Sequence, residues 1–381
     1  MEILKPDRAE GLAEALAAAA AAGRQVRLCG ASSKDAMGGP LAPAGLAIST
    51  AALNRVRLYD PRDLTISVEA GMTYRELRRL LAANGQMLPL DPPFAETATT
   101  GGVVASNSSG PRRRLYGTAR DMVIGMTFAT LEGKLVESGG MVVKNAAGFD
   151  MAKLMIGSFG TLAAIAVVNF RVFPRPAASR TFVFSTGGAG EALAVRDRIL
   201  KSVLQPAAAD LLNPAAAEAL GRQGWLLAVR AAGNEAVIAR WSRELSGAEP
   251  LDGDAEEEWW RCISEFAPEF LARTPQGAVA RVSTTLSGLA RVVEQASGPL
   301  LARAASGVCY AGFGDPGEAA AWAARAAAEG SKAVVEYAPP AAKEKLEMWP
   351  APGSDFESMR RIKEMFDPRR LLNPGRLYGR L

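Results

Sequence analysis

Between Thr97 and Pro176 the chain gathers residue types that bring backbone and hydroxyl donors close to a ligand. Thr99, Thr100, Gly101, Gly102, Ser106, Asn107, Ser108, Ser109 and Gly110 crowd into one run, with Val103, Val104 and Ala105 inside it as at the start of a short buried helix. Glycine lets backbone approach closely, and N–H groups with Ser and Thr hydroxyls are the donors that anionic phosphates need. Alone, such a run is more often a turn-rich loop. A second candidate, Gly30, Ala31, Ser32, Ser33 and Lys34, follows the strand expected at Arg24–Leu28, and Lys34 would add charge to it. It is not G-x-G-x-x-G, and no G-x-x-x-x-G-K-[ST] occurs, so neither a Rossmann nor a P-loop site is supported.

The chain has no histidine, which removes the usual general base near neutral pH and the commonest metal ligand. A His-ligated metal is therefore excluded. Cys29, Cys262 and Cys309 are scattered without C-x-x-C spacing, which reads as a reducing compartment with no iron–sulfur cluster or zinc on this chain. A formal charge of +4 over 381 residues is too weak to argue for nucleic acid, yet it suits an anionic cofactor and a carboxylate substrate. No apolar run reaches membrane-spanning length. Asp7, Glu10 and Glu14 interrupt the Ala-rich start, so it does not read as a signal peptide and a cytoplasmic location is expected.

These loops need elements to position them. Asp7 is the expected N-cap of a helix over Arg8–Ala22, and Thr73 that of a helix carrying Leu77, Leu80 and Leu81 on one face, closed by Asn84-Gly85. Thr65–Glu69, Met122–Ala129 and Ala163–Val172 read as strands. Pro174 and Pro176 mark a boundary. Beyond it, strands at Thr181–Ser185, Trp225–Arg230, Ala278–Ser283, Gly307–Gly312 and Lys332–Tyr337 alternate with helices at Glu191–Val203, Asn234–Leu245, Leu289–Gln295 and Pro316–Glu329. That spacing predicts an α+β domain with an antiparallel sheet covered by helices. Ser354–Phe366 is a short amphipathic helix and Asn373-Pro374-Gly375 a tight turn. The basic run Pro111-Arg112-Arg113-Arg114 reads first as a solvated loop, and otherwise as a contact for a partner or an anion.

Four ordered pieces carry a family resemblance: TTGGVVASNSSG (Thr99–Gly110), LYGTARDMVIGM (Leu115–Met126), KNAAGFDMAKLMIGSFGTL (Lys144–Leu162) and FDPRRLLNPGRLY (Phe366–Tyr378). Together they resemble the FAD-binding domain of the vanillyl-alcohol oxidase (PCMH-type) flavoprotein superfamily, within it the D-lactate and glycolate dehydrogenase branch. The resemblance implies a PCMH-type FAD-binding domain of two α/β subdomains over residues 1–176, an α+β cap domain over 177–345, and a segment returning to the flavin domain over 346–381. It implies FAD, held non-covalently because the histidine that usually anchors covalent flavin is missing. Gly30–Lys34 would wrap the pyrophosphate. Thr99, Thr100, Gly101, Gly102, Ser106 and Asn107 would meet the second phosphate and the flavin. Gly160, Thr161 and Ile165 would face the adenine side, and Asn373 would sit near the isoalloxazine ring. Lys144 and Asp150 would orient these loops.

Oxidising a 2-hydroxy acid also needs a base for the hydroxyl proton and cations for the carboxylate. Relatives in this branch supply histidines for it, and this chain departs from that pattern. Arg281, Tyr337 and Arg376 remain as weak candidates, each more readily structural, and no base is identified. The departure, with SNSSGPRRRLYG, VVKNAAGFD and Met348–Pro350, resembles the shorter FAD-binding subunits of bacterial glycolate oxidase (glycolate dehydrogenase) complexes. Such a subunit implies a larger flavoprotein and an iron–sulfur subunit as partners, which would also place it at the inner membrane peripherally. A self-sufficient FAD-dependent dehydrogenase with a non-His base, and a scaffold subunit without catalysis, stay open as alternatives.

Overall fold

The computed structural model of the chain describes residues 1–141, 150–378 and 381, so the expectation for Lys144 lies outside the described residues. The chain divides into two compact units. The first comprises Met1–Ser109, Gly117–Arg175 and Ala351–Leu381; the second comprises Gly110–Tyr116 and Pro176–Pro350. One division falls between Arg175 and Pro176, and the separate short piece Gly110–Tyr116 contains the basic run Pro111–Arg114, which was not read as a boundary.

The first unit holds two larger sheets and a two-stranded antiparallel pairing of Gln86–Met87 with Phe173–Pro174. Three parallel strands run in the order Glu2–Leu4, Leu46–Ser49, Val26–Cys29, and residues 371–373 continue along the outer edge of the last through Val26 N–H to Leu371 O (2.7 Å) and Asn373 N–H to Val26 O (3.0 Å). Five antiparallel strands follow the order Val56–Asp60, Thr65–Glu69, Ala164–Arg171, Val123–Ala129, Leu135–Gly139. Helix Ala9–Ala21 ties the two together. Leu12 and Leu16, one helical turn apart, are fully buried against Val26, Leu46 and Ile48 of the first sheet and Ala129 and Ala164 of the second. Each leucine contributes about 1.5–3 kcal/mol of burial there. Asp7 does not cap this helix as read: Arg8 takes the N-cap with no side-chain bond, one residue later than the spacing suggested.

Helix Tyr74–Ala82 starts as its sequence says. Thr73 Oγ1 accepts from Glu76 N–H (3.2 Å) and Glu76 Oε2 accepts from Thr73 N–H (3.3 Å), a reciprocal capping box. The Thr73 hydroxyl and backbone hold the Glu76 carboxyl below the usual carboxylate range.

The second unit is one antiparallel sheet of eight strands. Its order is Glu249–Leu251, Ala178–Thr186, Trp225–Gly233, Ala208–Leu212, Leu300–Arg303, Val308–Phe313, Ala278–Ser283, Lys332–Tyr337. Helices Ala189–Lys201, Glu235–Glu244, Leu289–Glu294 and Pro316–Ala328 bury one face, with Phe182, Trp241, Phe313 and Trp322 at the centre. Helices Pro214–Glu218, Gly253–Ser264 and Phe266–Arg273 cover part of the other through Trp259, Trp260 and Ile263. No helix among the described residues is long and apolar enough to cross a membrane.

Thr73→Ala removes one half of the capping box, and unfolding in urea should show a loss of about 1 kcal/mol. Gly190 lies in the first turn of helix Ala189–Lys201 with open space where a Cβ would be, so Gly190→Ala should gain about 0.5–1 kcal/mol in the same assay.

Candidate functional site

Within the first unit, four stretches far apart in sequence border one groove containing about 830 Å³ of empty space. The first is the loop after strand Val26–Cys29. Gly30, Ala31, Ser32, Ser33 and Lys34 all line the groove, with Ser32 in the left-handed region (φ 57°). The N–H groups of Ala31, Ser32 and Ser33 have no acceptor among the described residues. A curled turn with successive uncommitted N–H groups is a concavity suited to an anion. Arg27 Nη2 donates to Asp35 and, at 3.3 Å, to Ser32 Oγ, so an ion pair joins the two ends of the loop.

The second stretch is the short helix Thr100–Ala105. Thr99 caps it by accepting from Gly102 N–H (3.3 Å), and Thr99, Gly101, Gly102 and Ser106 line the groove. A Cβ on Gly30 would collide with Thr99 Oγ1, so this glycine lets the first two stretches touch. Thr100 is turned the other way: its hydroxyl donates to Glu69 O and Ala70 O and it is fully buried. Asn107 ends the helix at φ 47° with an exposed side chain. Neither is brought to the groove.

The third stretch precedes strand Ala164–Arg171. Phe159, Gly160, Ala163, Ala164 and Ile165 line the groove, whereas the Thr161 hydroxyl donates inward to Ser158 O (2.7 Å). The fourth is the C-terminal turn. Asn373 accepts from Leu28 N–H (2.8 Å) and donates to Phe159 O (2.8 Å) and Leu28 O (3.3 Å), which fixes the first and third stretches to each other. Gly160 sits at φ +68°, and a Cβ there would lie 2.9 Å from Asn373 Nδ2.

Arg376, proposed from sequence for substrate chemistry, lines this groove instead. Its Nη2 and Nη1 donate to Lys34 O (2.6 Å) and Asp35 O (3.1 Å), and its guanidinium lies 6.0 Å from the centre of the Phe159 ring. Arg27, Cys29, Phe159 and Arg376 were not read as cofactor contacts. Each stands beside a motif residue that was, which is the one signal that pointed at them. Arg27, Lys34 and Arg376 face Asp35 alone among charged lining residues, so the groove is cationic at one part and apolar at Leu28, Ala105, Ala163 and Ile165. A long molecule with an anionic centre and flat apolar ends matches this donor set.

The other two catalytic candidates belong to the second unit. Arg281 Nε donates to Glu336 Oε1 (3.2 Å) and Nη1 to Ser283 Oγ (3.3 Å). Tyr337 is 1% exposed, and burial with the nearby Glu336 carboxylate pushes its phenol well above 10. The same causes raise Tyr310. Asp150 bonds Lys153 N–H (3.3 Å) and does not line the groove.

Residues 2–139 match the family described as FAD binding domain, and residues 347–377 match the C-terminal domain of FAD linked oxidases. The chain is 33% identical over 238 residues to the glycolate oxidase subunit GlcE of Escherichia coli, covering 62% of each chain. It is 35% identical over 132 residues to a D-lactate dehydrogenase of Anaerostipes hadrus, covering 35% of this chain and 28% of that one. The chain thus spans less than two thirds of the length of either relative. The solved 4-ethylphenol oxidase from Gulosibacter chungangensis superposes with a TM-score of 0.72 at 14% identity, over 99% of this chain and 89% of the other, which establishes the fold.

Gly160→Ala places a Cβ against Asn373 in a left-handed backbone, so it should cost about 1–2 kcal/mol in urea unfolding. Gly247→Ala, in an exposed turn with open space around it, should fall within about 0.5 kcal/mol of the parent and serves as its control.

Proposed function

We propose that this chain holds FAD in the groove of its first unit and serves as the FAD-binding subunit of an assembly that oxidises glycolate, with D-lactate as a second candidate substrate, to the 2-oxo acid. The observation that carries this is the loop Ala31–Ser33, whose N–H groups have no acceptor among the described residues and which lines a groove edged by Arg27, Lys34 and Arg376. Likeness to a glycolate oxidase subunit supports the substrate. The word subunit in that relative's name supports an assembly, in which a larger flavoprotein and an iron–sulfur subunit are the partners.

Bound FAD supplies an acceptor for the hydride that leaves C2 of a 2-hydroxy acid. The residues of this chain hold and orient it. Ala31, Ser32 and Ser33 donate N–H groups to the pyrophosphate while Lys34 and Arg376 offset its charge. Thr99, Gly102 and Ser106 line the wall next to that loop. Phe159, Ala163 and Ile165 exclude water from the apolar ends. Asn373 keeps the two walls at a fixed spacing. With no histidine in the chain, attachment is non-covalent.

The hydroxyl proton has no evident taker. Tyr337 and Tyr310 stay protonated near neutral pH, and Arg281 is a cation engaged by Glu336. The division of labour follows: this subunit stores or passes electrons, and the partner flavoprotein removes the hydride.

An absorbance spectrum of the purified chain, taken anaerobically before and after glycolate and D-lactate, tests this. Yellow flavin bands that persist with substrate and bleach once the partner subunits are added are expected. Bands that bleach with substrate in the chain alone would sink the division of labour and leave a self-sufficient dehydrogenase. A chain that stays colourless when FAD is supplied would leave a scaffold.

A further inference from the structure

Helix Phe356–Phe366 carries Phe356, Met359, Ile362, Met365 and Phe366, yet its one deeply buried residue is a lysine. The Lys363 side chain is 2% exposed and that of Asp367 is not exposed at all. Lys363 Nζ donates to Asp367 Oδ2 (2.6 Å), Thr161 O (2.7 Å) and Leu372 O (3.3 Å), an acceptor for each of its protons. Asp367 accepts in turn from Leu371 N–H and Leu372 N–H, both at 2.8 Å. Burying two charges in this way is costly, and a well-packed apolar pair in their place is often neutral or stabilising. Stability alone therefore does not explain them.

Their partners are specific. Thr161 follows Gly160 and leads into Ala163 and Ile165, one wall of the groove. Leu372 immediately precedes Asn373, which bridges that wall to Leu28. An apolar side chain could fill the same volume, but it could not aim two carbonyls from separate stretches at one point.

We propose that the Lys363–Asp367 pair is a positioning device, which fixes the Gly160–Ile165 wall to the Asn373 turn and thereby sets how tightly the groove holds FAD. The proposal rests on the flavin reading above. Neither residue touches the groove, and both act through the backbone they hold.

The test uses four forms of the full chain, prepared free of flavin: the parent, Lys363→Met, Lys363→Gln and the double variant Lys363→Met/Asp367→Asn. Each is titrated with FAD by flavin fluorescence, and its thermal unfolding without FAD is recorded beside it. Lys363→Met leaves the Asp367 carboxylate buried without its cation and should be the least stable. The double variant carries neither charge and should recover most of that stability, yet bind FAD about tenfold more weakly than the parent. Lys363→Gln, whose shorter uncharged amide cannot satisfy both carbonyls and the Asp367 carboxylate together, should bind FAD about threefold more weakly than the parent and keeps the test open if the methionine forms fold poorly. A merely structural pair predicts the opposite pattern, in which stability and affinity recover together. A double variant, or a folded Lys363→Gln variant, that binds FAD within about twofold of the parent would overturn the proposal alone. A parent chain that takes up no FAD would instead overturn the flavin reading, and this proposal with it.

Discussion

One side-chain amide holds the groove together. Asn373 accepts from Leu28 N–H and donates to Phe159 O, across sequence separations of 345 and 214 residues. Its own backbone is left-handed (φ 41°), a conformation that asparagine tolerates better than most residues. Closing loops of that length costs only a few kcal/mol of chain entropy, because the cost rises with the logarithm of length. The difficulty is specificity, and an amide with one acceptor and two donors specifies both neighbours at once. The constraint then spreads outward. Gly160 must lack a side chain because Asn373 occupies its space, and Leu372 must be buried because it continues the edge of the parallel sheet.

The chemistry follows from how this arrangement distributes charge. Among the described residues the backbone N–H groups of Ala31, Ser32 and Ser33 have no acceptor, and successive donors of this kind suit an anion. Arg376 reinforces them from the C-terminal turn by binding the carbonyls of Lys34 and Asp35, which stiffens the loop and brings a cation to it. The chain's ionisable groups that look catalytic, Arg281 and Tyr337, are committed to the second unit's sheet by an ion pair and by burial. A groove built to hold a cofactor, in a chain with no histidine, fits a subunit that shares its chemistry with a partner.

Much of the fold was legible because local rules and tertiary structure agreed. The Thr73 cap with Glu76, and the strands Ala278–Ser283 and Lys332–Tyr337, appear as their sequences suggest. The strands Ala208–Leu212 and Leu300–Arg303 were missed because Asp210 and Arg303 interrupt their apolar pattern; in the sheet these two lie directly opposite and pair, so the charges cancel only through a contact 93 residues apart. Helix Phe266–Arg273 was hidden by Pro268, which reads as a breaker but falls in the first turn, where its missing N–H costs nothing. At the site, motif order gave the loops but not the facing of each residue. Thr100 and Thr161 share a residue type and a neighbourhood with Thr99, and only packing turns the first two inward.

Calorimetric titration of the flavin-free chain with FAD, beside a Gly30→Val variant, decides whether FAD binds in this groove. The valine would drive its side chain into Thr99 at the contact of the first two stretches, away from the hydrophobic cores of the unit. One FAD per parent chain, with heat of binding lost in a variant that still folds, is the predicted result. Full-strength binding by the folded variant, or none by the parent, would contradict it.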